Sequence, residues 1–183
     1  MPVFEKRTHI DAPAERVFAF HDRPEALTLL IPPWEPARVV EKTPGLHVGV
    51  RAVIEVRVGR SVHRVVAEHT ACEEGRMFQD TLRDGPFKKW VHTHTMEPDG
   101  AGGSWLVDHI EYELPFGRLG ALGAGWLIRS RMARMFDYRH EMTKKSCEAE
   151  AAAGAASRPE DSASTAAPLT AARDRRGTGS RPE

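Results

Sequence analysis

Apolar and polar positions alternate with period two through much of the chain. Val48, Val50, Ala52, Ile54, Val56 and Val58 alternate with Arg51, Glu55 and Arg57. Side chains along a strand point to opposite faces in turn, so this spacing predicts a strand with one buried face. Similar runs predict strands over 3–10, 38–42, 61–73, 77–83, 87–97 and 104–114. Gly59-Arg60 and the EEG, DGP and DGAGG segments that separate these runs suit tight turns. Successive strands joined by short turns imply an antiparallel meander.

Two stretches break the alternation. After the first strand comes IDAPAERVFAFH, where Asp11 is expected to cap a helix, Pro13 suits its first turn, and Val17, Phe18 and Phe20 face inward. A short second helix is expected over 24–30, stopped by the IPPW run at 31–34 because proline disfavours helix in the residue before it. Near the C-terminus, Ile128, Met132, Met135, Phe136 and Met142 fall on one stripe at helical spacing, predicting a long helix over 127–152. The segment PFGRLGALGAG before it reads either as a flexible cover over one end of the sheet or as a closely packed loop. The order of elements defines an α+β fold: a curved antiparallel sheet of six or seven strands wrapped on a long C-terminal helix, with two short helices after strand 1.

Composition narrows the function. Formal charge is balanced at +0 over 183 residues, which gives no general attraction to nucleic acid or anionic membrane, and no nucleic-acid motif is present. No apolar run reaches the roughly 18–20 residues that span a bilayer, and the N-terminus is charged at once, so a cytoplasmic location is expected. Cys72 and Cys147 stand far apart and outside any CxxC pattern, as ordinary thiols do. From Gly154 to Glu183 the chain is rich in Ala, Ser, Pro and Arg, with a single Leu. The expected organisation is therefore one folded domain over 1–153 and a disordered tail over 154–183.

The opening FEKRTHIDAPAERVFAFH, the strand order and the terminal helix resemble the START/Bet v1-like superfamily, also called SRPBCC, with its helix-grip fold. The segments FHDRPEALTLLIPPW, FQDTLRDGPFKKWVHTH and LVDHIEYELPFGRLG resemble a bacterial subgroup described as polyketide cyclase/dehydrase-like or ligand-binding. Together these blocks span about 3–140. The resemblance implies an internal cavity for a small apolar molecule. Members of the superfamily include binders of lipids, sterols and polyketides, cyclases, and oxygenase domains. The chain has no Rieske-type Cys/His ligand set, which disfavours an oxygenase.

Alternation assigns faces to the strands. Phe78, Asp80 and Leu82 share one side; so do Trp90, His92, His94 and Met96; so do Leu106, Asp108, Ile110, Tyr112 and Leu114. Val65, Ala67 and His69 are expected to join them facing the helix. The expected ligand-binding set is His69, Phe78, Asp80, Trp90, His92, His94, Met96, Asp108, Ile110, Tyr112, Met132 and Phe136. It places histidines and aspartates in an apolar interior, where unpaired charge is costly, so imidazole–carboxylate pairing is expected. Asp80 and Asp108 lie on the strands flanking His92 and His94 in a regular meander.

Four readings of this group stand open. It is a structural network, a set of polar anchors for a ligand, an acid–base pair, or a metal site. A His–Asp pair with His92 or His94 as base, oriented by Asp80 or Asp108, suits a cyclase or dehydratase. A metal would use His92 and His94 with His69 or Asp108, but the spacing closes no tight ligand set, so no metal or other cofactor is expected. Trp34 and Trp126 are candidates to close the ends of the cavity, with ordinary packing as the alternative. The function expected is binding of a small hydrophobic or aromatic molecule. A cyclase/dehydratase and a ligand-dependent regulatory module are the alternatives.

Overall fold

The computed structural model describes residues 1–115 and 117–156. Its elements are β1 (Val3–Ile10), α1 (Ala14–Asp22), α2 (Ala26–Leu29), β2 (Ala37–Lys42), β3 (Arg51–Val58), β4 (Ser61–Glu73), β5 (Met77–Asp84), β6 (Lys89–Pro98), β7 (Ser104–Glu113) and α3 (Gly117–Ala156). All seven strands form one antiparallel sheet in the order β1-β7-β6-β5-β4-β3-β2. From β2 to β7 the chain is a plain meander. The first strand then docks beside the last, Val3 opposite Glu111 and Ile10 opposite Ser104. The two short helices carry the chain from one edge of the sheet to the other. This is the helix-grip arrangement, with seven strands.

Several boundaries differ from the sequence expectation. Asp11 caps nothing: Pro13 stands at the N-cap of α1 without a side-chain bond. The Asp11 backbone N–H instead donates to Glu148 Oε1 of α3 at 2.9 Å. α2 is shorter than 24–30. β3 begins at Arg51 rather than Val48, because Gly49 takes a left-handed φ of 91° in a turn that leaves Val48 exposed. The largest difference is α3. It starts at Gly117, so most of the glycine-rich segment expected as a loop is helical, and it runs to Ala156, past the expected boundary at 153. Glycine weakens a helix by only about 1 kcal/mol per residue, so scattered glycines do not forbid one. The rest of the expected tail, 157–183, lies outside the described residues.

The core lies at one side of the sheet. One cluster joins Val17, Phe18 and Phe20 of α1 to Ile10, Met96, Leu106 and Cys147. A second joins Phe4, Ile110, Tyr112 and Leu114 to Met132 and Phe136 of α3, where the Phe4 and Phe136 rings approach to 5.4 Å. Both centre on β1, β7 and α3. Polar contacts fasten α3 to the same side: Arg129 and Lys144 donate to the Val3 and His9 carbonyls, and Lys6 pairs with Asp137. The inner face of β3 and β4 carries short side chains such as Ala52, Val56, Val65 and Ala67. These do not reach the helix, and a hollow remains beneath it. Both cysteines are free thiols. No helix among the described residues is long and apolar enough to cross a membrane.

Candidate functional site

The hollow has a volume of about 570 Å³. Its walls are mostly apolar: Ile54 and Val56 from β3, Val65 and Ala67 from β4, Phe78 and Leu82 from β5, Trp90 from β6, and Ile128, Met132 and Met135 from α3. Leu27, Leu30, Ile31 and Pro32 close it from the side of α2. Polar wall residues come from β5, β6, β7 and α3, joined by His21 of α1, His69 of β4, Lys42 of β2 and Glu35.

Cross-strand register builds that polar group. Asp80 lies directly opposite His92, and His94 directly opposite Asp108. The two imidazoles sit side by side on β6, ring centres 3.8 Å apart, between the two carboxylates. On one side, Asp80 Oδ2 lies 3.3 Å from His92 Nδ1 and 3.5 Å from His94 Nε2. On the other, Asp108 Oδ1 lies 3.3 Å from His92 Nε2 and 2.7 Å from His94 Nδ1. His92 Nε2, His94 Nδ1 and Asp108 Oδ1 are buried without an aligned hydrogen bond, so these contacts act through charge. The second Asp108 oxygen lies 2.9 Å from His140 Nε2, and His140 Nδ1 lies 2.8 Å from Thr8 Oγ1. Phe78 stacks on His94 at 4.1 Å, and Phe136 sets its ring edge to face against His92 at 5.2 Å.

The electrostatics follow from this geometry. Burial opposes charge on His92, but Asp108 and Asp80 together outweigh it and push the imidazole up to about 9. Burial likewise opposes ionisation of both aspartates, yet the histidines hold each below the usual carboxylate range: His92 and His94 act on Asp80, and His94, His140 and His92 on Asp108. His21 has no carboxylate beside it. Burial, reinforced by His94, pushes it down to about 3, and its Nδ1 stays 2.8 Å from the Val17 carbonyl. His69 is lowered by burial, partly offset by its bond to the Leu46 carbonyl.

Of the residues expected at the site, His69, Phe78, Asp80, Trp90, His92, His94, Asp108 and Met132 line the hollow. Met96, Ile110, Tyr112 and Phe136 do not. They face inward as expected but are packed into the two core clusters, where α1 and α3 cover the sheet closely. Trp34 and Trp126 do not close the hollow either. Trp34 packs edge-on against Tyr138 beneath the Arg134 guanidinium, and Trp126 is 81% exposed. The arginines near Trp126 have separate partners: Arg129 bonds the Val3 carbonyl and Arg131 bonds Glu35.

Sequence reasoning missed several polar wall residues, among them His21, Arg139, His140 and Thr143. The signal was present. Continuing the stripe of Met132 and Phe136 by helical steps lands on Arg139, His140, Thr143 and Cys147, and His21 follows Val17 by one turn. Arg139 Nε donates to the Leu30 carbonyl at 3.2 Å; burial lowers its pKa, with partial compensation from Asp108, Asp80 and Glu35. The expectation that no tight ligand set closes around the histidines is also corrected. Asp80, His92 and His94 offer donor atoms all within 4.8 Å of one another.

A seven-stranded sheet holding one long helix over a partly filled interior defines a helix-grip domain of the SRPBCC class. The chain belongs to the family described as polyketide cyclase/dehydrase and lipid transport, whose sequence profile matches residues 10–137. Solved structures agree on the fold. The protein TTHA0849 from Thermus thermophilus aligns at a TM-score of 0.64 and 20% identity, over 81% of this chain and 99% of that one. The di-domain ARO/CYC StfQ from the steffimycin biosynthetic pathway aligns at 0.63 and 13% identity, over 82% and 52%. A point mutant of norcoclaurine synthase from Thalictrum aligns at 0.60 and 14% identity, over 79% and 95%. At these identities the likeness concerns the fold alone. No curated protein matches the sequence closely enough to add to this.

Proposed function

We propose that the chain binds a small hydrophobic or aromatic molecule inside the sheet, with a polar group of that molecule directed at the His/Asp cluster. The observation that carries this reading is the hollow itself. At about 570 Å³ it falls within the roughly 300–1,000 Å³ of small-molecule sites, and its apolar walls converge on a few placed polar groups. Burial of the ligand's apolar surface drives binding, and Asp80, His94 and Arg139 supply hydrogen bonds that orient it. The test is uptake of an environment-sensitive apolar fluorophore, with native mass spectrometry of protein purified from extract. Saturable, one-to-one uptake is expected. Ala67→Trp, which fills the hollow from β4, abolishes uptake while leaving the circular dichroism unchanged. Uptake that survives this substitution puts the ligand elsewhere and defeats the proposal.

One observation favours a second reading, a cyclase or dehydratase. His92 is clamped between two carboxylates and pushed up to about 9, so it holds a proton at neutral pH beside an apolar chamber. Such a group acts as a general acid, protonating a carbonyl or a departing hydroxyl, while His94, the other candidate base on β6, accepts a proton from carbon. On this reading the protein turns over a poly-β-ketone, and His92→Gln removes turnover but keeps fluorophore uptake. Full turnover in His92→Gln, or none in the wild type across a panel of poly-β-ketones, leaves binding as the activity.

A further inference from the structure

We propose that Asp80, His92 and His94 form a binding site for a divalent first-row transition-metal ion of the zinc type, with one coordination position open to the hollow. The site lies within the chamber just described and depends on that reading only for what occupies the open position.

The distances carry the argument. Two metal–ligand bonds of about 2.0–2.1 Å at a near-tetrahedral angle hold their donor atoms about 3.3–3.4 Å apart. Asp80 Oδ2 stands 3.3 Å from His92 Nδ1 and 3.5 Å from His94 Nε2. A charge-assisted hydrogen bond would close these gaps to about 2.7–2.9 Å, as it does between His140 and the same cluster's Asp108, at 2.9 Å. Both Asp80 separations therefore match those between ligands of one ion, and all three residues offer donor atoms within 4.8 Å of one another.

The opposite side of each ring fits the same role. A ligating imidazole usually turns its second nitrogen to a carboxylate, which fixes the ring and raises its basicity. Here the far nitrogens of both histidines face one oxygen, Asp108 Oδ1, at 3.3 and 2.7 Å. These three atoms lie on the side away from the proposed ion and, without aligned hydrogen bonds, orient the rings through charge. Phe78 and Phe136 hold the two ring planes. Charge balances as well: one negative charge from Asp80 and one from Asp108 match a dication with both imidazoles neutral. Two imidazoles with one carboxylate select zinc-like ions over magnesium or calcium, which take oxygen-rich shells. The Asp80 side chain is 16% exposed and lines the hollow, so the remaining position admits water or an oxygen of the chamber's occupant.

The experiment uses the full chain, stripped with chelator and then given equimolar zinc(II) or cobalt(II). After desalting, one ion per chain is expected, cobalt(II) shows the visible absorption of a four- or five-coordinate centre, and magnesium(II) is not retained. Zinc(II), but not magnesium(II), raises the wild-type melting temperature, a readout that needs no variant. Asp108→Asn weakens binding by roughly 10–100-fold, and Asp80→Asn and His94→Gln weaken it further. His63→Gln, at an exposed position on β4, changes nothing. A folded wild type that retains no ion, or retention indifferent to Asp80→Asn and His94→Gln, overturns the site. Fluorophore uptake in chelator separates the two proposals. Uptake without metal retention overturns only the metal site, and metal retention without uptake overturns only the apolar-ligand reading.

Discussion

Asp108 and the imidazoles around it make the stability of the protein depend on pH in two opposing ways. His92, against burial, is raised by Asp108 and Asp80 from an ordinary 6.5 to about 9. Its contribution is complete below pH 6.5 and is lost as pH rises through about 9. His21 is lowered by burial and by His94 to about 3. Below pH 6.5 the unfolded chain takes up a proton at His21 that the folded chain refuses, so stability falls as pH drops toward 3. The two depressed aspartates add a further loss at the acid end. Urea midpoints measured in chelator at pH 5, 6.5 and 9 are therefore expected to peak near 6.5. A midpoint that rises from 6.5 to 9 would contradict a protonated His92. At this scale the sequence revealed half of the group. Strand alternation, a rule of period two, places Asp80, His92, His94 and Asp108 on one face without further information. His140 and Arg139 were passed over because a polar residue on a helix is solvated by default, and only the depth of α3 in the sheet makes these two internal.

At the scale of elements, the two halves of the sheet answer differently to the same kind of damage. Phe136 is fully buried between Phe4, His92 and Met132, and its removal leaves a new void. Phe136→Ala is expected to cost about 3–5 kcal/mol. Ile54 faces the hollow on β3, so its truncation enlarges an existing space and loses few contacts. Ile54→Ala is expected to cost less than about 2 kcal/mol, below the usual range for buried aliphatic residues. Urea denaturation of both variants checks this, and equal costs would mean that the hollow is closed in solution. The same distinction explains why Met96, Ile110, Tyr112 and Phe136 were expected on the cavity wall. Periodicity states which face of a strand is inward. It does not state whether a helix or empty space lies opposite, because that depends on where α3 crosses the sheet. The start of α3 was hidden for a related reason: glycines argue against helix locally, but at about 1 kcal/mol each they do not forbid one.

At the scale of the whole molecule, the strand order and the single long helix were legible because they follow from turn spacing and from one change of hydrophobic period. The hollow was legible only as an expectation of the fold. Its volume depends on the mismatch between short side chains on β3 and β4 and a helix fastened to the far side by β1 and α1. Among the described residues, that asymmetry brings apolar walls and a charged cluster into one chamber, which is what both proposed activities require.

The pairing of the first strand with the last has a further consequence, for the order of assembly. Val3 meets Glu111 across more than a hundred intervening residues. On the ribosome, the N-terminal strand must wait without a partner until the final strand has emerged, while the central hairpins form from near neighbours. Closing so long a loop is entropically slow, and such topologies fold on the millisecond-to-second scale rather than in microseconds. The edge left bare in that interval is the most exposed point of the nascent chain to mispairing with another copy.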